Sequence, residues 1–132
     1  MDFYGKTVIV TGASGELGRH IAQGLAGVGM DCLCHYHNNA VVAEECVDSI
    51  RALGVRAELA QADFSDPNSV SMLIDAAEAL GPVRVLVNSC SLFKRQPVGE
   101  FGPAEVAEMM NVNLASPLNL CNAFASYLKK QG

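Results

Sequence analysis

The sequence predicts an α/β fold, a doubly wound parallel sheet in the order β-α-β-α-β-α-β-α. Three observations predict it. Short runs rich in Val, Ile and Leu alternate with longer stretches of helical period. The runs are apolar on both faces, as strands of a buried parallel sheet are. The connections are short, which calls for right-handed crossovers and helices on both sides of the sheet.

The first strand is read in residues 6–11 (KTVIVT). A glycine-rich turn follows, then a helix over about 16–28. Its Leu17, Ile21 and Leu25 recur every four residues as one apolar stripe, and Gly29 stops it. The second strand is about 31–36. The second helix covers about 40–53, with Val42, Cys46, Ile50 and Leu53 inward and Gly54 as its cap. A third strand is expected at about 55–61. Ser65-Asp66-Pro67 reads as the start of a third helix running to about residue 80. Val70, Leu73, Ile74 and Ala77 face inward, and Gly81-Pro82 ends it. The fourth strand is 83–88. A loop at 89–102 leads to one long helix over about 103–131. Its apolar line includes Val106, Met110, Leu114, Leu118, Cys121, Phe124 and Leu128.

Composition agrees with this pattern. A length of 132 residues suits one domain, spanning 1–132, with no internal repeat or linker. Half of the residues are hydrophobic and 17% are charged, against roughly 25% in ordinary soluble domains. Much of the chain should therefore be buried, and disorder is excluded. Nine Lys plus Arg against fourteen Asp plus Glu leave no basic footprint for nucleic acid. No run approaches the roughly 18 apolar residues of a membrane span. The start, MDFYGKTVIV, has no basic region ahead of an apolar stretch, so no secretory signal is expected. The five cysteines (Cys32, Cys34, Cys46, Cys90 and Cys121) are odd in number and form no C-x-x-C. Reduced, mostly buried thiols in a cytoplasmic protein are expected, rather than disulfides or a zinc site.

Thr11-Gly12-Ala13-Ser14-Gly15-Glu16-Leu17-Gly18 joins the first strand to the first helix. Such a turn aims backbone N–H groups and a helix N-terminus at one point, where an anion binds well. Gly12 permits the tight turn, Gly15 lets the backbone approach a pyrophosphate, and Gly18 lets the helix pack close to the sheet. A glycine trio alone is a weak signal. Its place after a strand and ahead of a helix, opening a βαβ unit, makes it a Rossmann-type nucleotide-binding signature.

Here the sequence resembles the short-chain dehydrogenase/reductase family. Besides T-G-A-S-G-E-L-G, the resemblance rests on Ala62-Asp63-Phe64, on Asn88-Ser89-Cys90-Ser91 and on Asn111-Val112-Asn113-Leu114. It implies that residues 12–18, including Ser14, Glu16 and Leu17, hold the cofactor pyrophosphate. It implies that Asp63, with Phe64 beside it, meets the adenine, and that Asn88, Ser89 and Cys90 line the cofactor. Asn113 would be the helix Asn of the catalytic tetrad, holding a water that links to the catalytic Lys.

Two departures stand out. Single-domain members usually read T-G-x-x-x-G-x-G, but this chain has Glu16 at the middle glycine and the T-G-x-x-G-x-x-G spacing of the extended members. Asn-Asn-Ala-Gly is replaced by Asn88-Ser89-Cys90-Ser91. Glu16 either points outward, where the helix dipole favours a carboxylate, or points inward and weakens cofactor binding.

The end of the second strand reads His35-Tyr36-His37-Asn38-Asn39, with no acid between Asp31 and Glu44. An acid there would bond the ribose 2′-hydroxyl of NAD and repel a 2′-phosphate. Its absence favours NADP(H) over NAD(H), with Ser14, His37 and Asn38 as donors to the phosphate. His35 and His37 share a strand face as metal ligands would, but no third ligand lies nearby in sequence.

Pro117 lies four residues after Asn113 and has no N–H. The Asn113 carbonyl should therefore lack its helical partner at a kink, to be satisfied by water or a side chain. The bland alternative is a tolerated bend in a core helix.

Catalysis in the family needs a Tyr-x-x-x-Lys pair and a Ser after the fifth strand. Four residues after Tyr4, Tyr36 and Tyr127 come Val8, Ala40 and Gln131, so the pair is absent from these residues. The expectation is the N-terminal portion of a longer domain, with strands five onward missing and the fourth strand an exposed apolar edge. Residues 79–118 look most like the pteridine-reductase-like branch, in which Phe93 would stack on a flat heterocycle. Covering the sheet edge is the equal alternative for Phe93. The leading reading is the cofactor-binding portion of an NADP(H)-dependent oxidoreductase acting on a carbonyl or imine of a small, pterin-like substrate. When full length, it would form a homo-oligomer. The competing readings are a non-catalytic dinucleotide sensor and an inactive truncated product.

Overall fold

The computed structural model describes residues 2–132. Its strands are β1 (Thr7–Val10), β2 (Asp31–Tyr36), β3 (Ala57–Gln61) and β4 (Val83–Val87). Its helices are α1 (Glu16–Gly27), α2 (Ala40–Arg51), α3 (Met72–Glu78), α4 (Pro103–Met110) and α5 (Ser116–Lys130). A π-helical segment, Asn111–Ala115, joins α4 to α5.

All strand pairs are parallel, in the order β3-β2-β1-β4, with Val10 opposite both Cys34 and Val87. The chain runs outward from β1 to β2 and β3, then crosses to β4 on the other side. That reversal opens a crevice at the carboxyl end of β1, where ligands of doubly wound sheets bind. Alternation along β1 divides the core in two. Val8 and Val10 pack with Ala22, Cys34, Cys46, Val47 and Ile50 under α1 and α2. Ile9 packs with Phe64, Leu73, Val83, Leu120 and Tyr127 under α3 and α5.

The elements appear in the expected order, but three faces differ from the expected ones. Helix α1 meets the sheet through Gly18, Ala22 and Ala26, whereas Leu17 is 68% exposed and Ile21 and Leu25 are half-buried. The reason is proximity: a Cβ on Gly18 would lie 2.3 Å from the Gly12 carbonyl oxygen. A helix held that close has room only for small residues on its inner face. Helix α2 likewise buries Ala43, Cys46, Val47 and Ile50, and ends before Leu53, which is exposed.

Strand β3 begins at Ala57 rather than residue 55, and α3 begins at Met72 rather than at Ser65. Side chains take over the backbone there. Asp63 Oδ1 accepts the Ser65 N–H at 2.9 Å, and Asp66 Oδ1 accepts the Asn68 N–H at 3.1 Å. Ser69 Oγ donates to the Asp63 and Asp66 carbonyls. Local bonds of this kind compete with helix formation. Val70, Leu73, Ile74 and Ala77 are buried as the pattern predicts.

The last helix is not continuous, and the face its apolar line was expected to bury is the open one. Val106, Met110, Leu114, Leu118, Cys121 and Leu128 are exposed, and of that line only Phe124 packs against the core. Val112, Ser116, Leu120 and Tyr127 are buried instead. Polar anchors select this face. Ser116 Oγ donates to the Phe64 carbonyl at 2.7 Å, Asn111 Nδ2 to Ser65 O at 3.1 Å and Asn119 Nδ2 to Pro67 O at 2.9 Å. The Tyr127 hydroxyl accepts the Val83 N–H at 3.2 Å. Together they satisfy the carbonyls of Phe64, Ser65 and Pro67 and the first amide of β4. Among the described residues no strand pairs with the outer side of β4, whose Val85, Leu86 and Val87 are half-buried.

Candidate functional site

The glycine turn sits at the carboxyl end of β1. Gly12 has φ +66°, and a Cβ there would lie 2.9 Å from the Cys90 Cα. That position therefore requires glycine twice over, by conformation and by space. Gly15 is the N-cap of α1 and has no side chain with which to cap it. The first amides of α1 are thus left for an anion. Ser14 and Gly15 line the adjoining cavity, and the Glu16 and Leu17 side chains are exposed.

Two residues organise this turn that the sequence reading did not assign to the site. Thr11 Oγ1 accepts the amides of Ser89 and Cys90, both at 3.0 Å, and donates to Val87 O at 3.4 Å. It joins the turn to the end of β4. His35 Nδ1 accepts the Gly12 N–H at 3.1 Å, and its Nε2 bonds Ala62 O at 2.9 Å. Its ring lies on Phe64 with centroids 4.4 Å apart. Burial lowers the His35 pKa below its usual value. The signal for Thr11 lay in the motif itself. The signal for His35 was a polar residue on an otherwise apolar strand.

Two cavities with lining residues in common lie at and beside the turn. One, of about 280 Å³, is lined by Gly12, Ser14, Gly15, His35, His37 and the Ser89–Ser91 segment. The other, of about 130 Å³, adds Asp63, Phe64, Ser65, Leu92, Glu108 and Val112. They share His35, His37, Cys90 and Ser91. A larger cavity of about 630 Å³ lies between α3 and α5, and none of the candidate cofactor residues lines it.

Most candidates gather here. His37 Nε2 lies 3.7 Å from Asp63 Oδ1, and both side chains are exposed. Hydrogen bonds from Ser65 hold the Asp63 carboxyl below the usual carboxylate range. Asn38 is exposed at the same strand end, and Phe64 is buried behind His35. Ser89 and Cys90 line the cavity, and burial raises the Cys90 thiol pKa. Asn88 donates to Cys121 Sγ at 3.3 Å. Phe93 stays apart, at 84% exposed.

Asn113 lies within the π-helical segment. The chain answers the missing Pro117 amide with wider turns: the Ser116 N–H bonds the Asn111 carbonyl five residues back. The Asn113 side chain reaches the 89–102 loop, taking the Leu92 N–H at 2.7 Å and donating to Leu92 O at 2.8 Å. The Lys94–Glu108 ion pair ties the same loop to α4.

A parallel doubly wound sheet with a glycine turn at its reversal point defines the Rossmann-type class of nucleotide-binding α/β proteins. Within that class the chain belongs to the short chain dehydrogenase family, which residues 6–132 match. It is 33% identical over 129 residues to L-rhamnose 1-dehydrogenase (NAD(P)(+)) of a Sphingomonas species, covering 97% of this chain and 51% of that one. It is 33% identical over 129 residues to 2-dehydro-3-deoxy-D-gluconate 5-dehydrogenase of Escherichia coli, covering 97% and 50%. A short chain dehydrogenase from Burkholderia cenocepacia, solved in complex with NADP, superposes with a TM-score of 0.90 at 32% identity, covering 96% and 52%. The chain spans about half the length of the curated relatives it matches. These relatives do not carry the assignment into the pteridine-reductase-like branch. No helix among the described residues is long and apolar enough to cross a membrane.

Proposed function

We propose that residues 1–132 form a single NAD(P)-binding domain, the cofactor-binding portion of an NADP(H)-dependent oxidoreductase that transfers hydride to or from a carbonyl carbon. The observation that carries this is the glycine turn, whose Gly12 and Gly18 leave no room for a Cβ and whose helix starts uncapped. NADP(H), when bound, supplies the hydride. The residues of this chain bind and orient it. Gly12, Ser14, Gly15, Glu16, Leu17 and Gly18 hold the pyrophosphate through their backbone. The exposure of Glu16 supports the outward placement that leaves this anion site clear. His37 and Asn38, with Ser14, take the 2′-phosphate. Asp63 and Phe64 border the adenine, and Asn88, Ser89 and Cys90 the nicotinamide end.

Asn113 takes the place of the helix Asn of the tetrad. The preference for NADP(H) over NAD(H) rests on the acid-free end of β2. The finer substrate reading, an imine of a pterin-like ring, rests on Ser89–Phe93 alone. The names of the two curated relatives point instead to hydroxyl and carbonyl carbons of sugars and sugar acids. A homo-oligomer is part of the proposal, supported by the exposed apolar face of α4 and α5. So is a cytoplasmic setting, supported by five unpaired thiols.

Fluorescence titration with NADPH tests the reading. Saturable binding that is abolished by Gly12→Asp supports it, and equal signals from both proteins overturn it. A dinucleotide-binding module without turnover is the second reading, favoured by one observation: no Tyr-x-x-x-Lys occurs in these residues. NADPH oxidation by this chain would exclude that second reading.

A further inference from the structure

Among the titratable side chains lining the two cavities, His35 alone is buried, with 1% of its surface exposed. Both ring nitrogens are committed to backbone atoms of opposite kind. The Ala62 carbonyl only accepts, so the proton facing it sits on Nε2. The Gly12 amide only donates, so Nδ1 presents a lone pair. The surroundings thus specify one neutral tautomer. The main chain of the same residue holds the next amide, with the Ala13 N–H 2.9 Å from the His35 carbonyl. Residue 35 therefore grips two successive amides of the glycine turn.

We propose that His35 is the positioning residue of the dinucleotide site. Its neutral ring holds Gly12 in the conformation that binds the cofactor pyrophosphate, and dinucleotide affinity falls when the ring takes up a second proton. This rests on the proposed cofactor site. A proton on Nδ1 would face the Gly12 N–H, donor against donor, and would place a charge in a buried position. The turn must then give way. Charged and titratable groups line the cavity beside the ring. His37, just past the end of β2, disfavours the charged form, and Asp63 after β3 and Glu108 on α4 line the same cavity. The Cys90 thiol beyond β4 is uncharged. None of these groups bonds to either ring nitrogen, and burial, the largest cause, lowers the pKa of the ring below its usual value.

The test is affinity against pH, from about pH 8 to about pH 5. NADH is titrated alongside NADPH because it lacks the 2′-phosphate, which titrates in the same range. Wild type should lose about tenfold or more in affinity for both as His35 protonates. His35→Asn places an amide oxygen where Nδ1 stands and accepts the Gly12 N–H without titrating. It should bind within about threefold of wild type at pH 8 and stay flat. His35→Leu should bind at least tenfold more weakly throughout. Identical pH profiles for wild type and His35→Asn would overturn the proposal, as would wild-type affinity in His35→Leu. No binding of either dinucleotide at any pH would overturn the cofactor site and this role with it. Should His35→Leu not fold, nuclear magnetic resonance of wild type decides. The Gly12 amide shift must follow the His35 ring titration, and an unresponsive Gly12 overturns the contact.

Discussion

The carboxamide of Asn113 takes both backbone polar groups of Leu92, the N–H at 2.7 Å and the carbonyl at 2.8 Å. A side chain on the π-helical segment thereby stands in for a strand partner and holds the loop after β4 beside the cavities. Asn113→Ala removes both bonds at an exposed position. It should cost about 1 kcal/mol and lower the melting temperature by a few degrees. The Leu92 amide should lose protection in hydrogen exchange. Unchanged protection would show that the loop is held without Asn113.

Two glycines of one helix should respond with opposite sign. A Cβ at Gly18 would meet the Gly12 carbonyl oxygen at 2.3 Å, whereas one at Gly24 would meet nothing within 4 Å. Gly18→Ala should destabilise by about 3 kcal/mol or more, because backbone must move against backbone. Gly24→Ala should stabilise by about 0.5–1 kcal/mol, since alanine loses less freedom in a helix. Urea unfolding of both variants checks the pair.

The two sides of α5 should respond just as differently. Leu120 is buried in the core beneath α3 and α5, and Leu118 is 54% exposed. Leu120→Ala should cost about 2–4 kcal/mol. Leu118→Ala should stay within about 0.5 kcal/mol. Equal costs would mean that the Leu118 face is buried as well.

Stability should fall on acidification in a way that depends on His35. Its folded pKa lies below the unfolded value of about 6.5. Between those two values the unfolded chain binds more protons than the folded one, so stability rises with pH and is lost as pH drops below about 6.5. In His35→Asn that contribution disappears. Urea midpoints at about pH 7.5 and about pH 5.5 should fall further in wild type than in the variant. Equal falls would show that His35 does not resist protonation in the folded chain.

Much of what the candidate site brings together was legible along the chain. The strand, glycine turn and helix are contiguous, so the backbone geometry around Gly12, Gly15 and Gly18 is a local matter. Asp63 and Asn88 follow strands whose ends parallel pairing brings to one side of the sheet. Thr11 and His35 were not legible as site residues, because their partners are backbone atoms 23 to 79 residues away in sequence. Asn113 stands out in the sequence as the tetrad Asn of the resemblance and for the carbonyl freed by Pro117, but not for the two bonds its carboxamide makes to Leu92, 21 residues away.

Alternation of apolar runs and helical stretches was enough to determine the element order and the parallel sheet, since hydrophobic period and short connections admit few other arrangements. Which face each helix turns inward was decided only by tertiary structure. Periodicity finds an apolar stripe but not the neighbour it meets. Helix α1 is drawn so close to the glycine turn that Gly18, Ala22 and Ala26 displace its leucines. Helix α5 turns Ser116 and Tyr127 inward with Leu120, because the carbonyl of Phe64 and the amide of Val83 need partners. The unpaired amides and carbonyls of a folded backbone cannot be counted until the fold exists, and here they outweighed the apolar line.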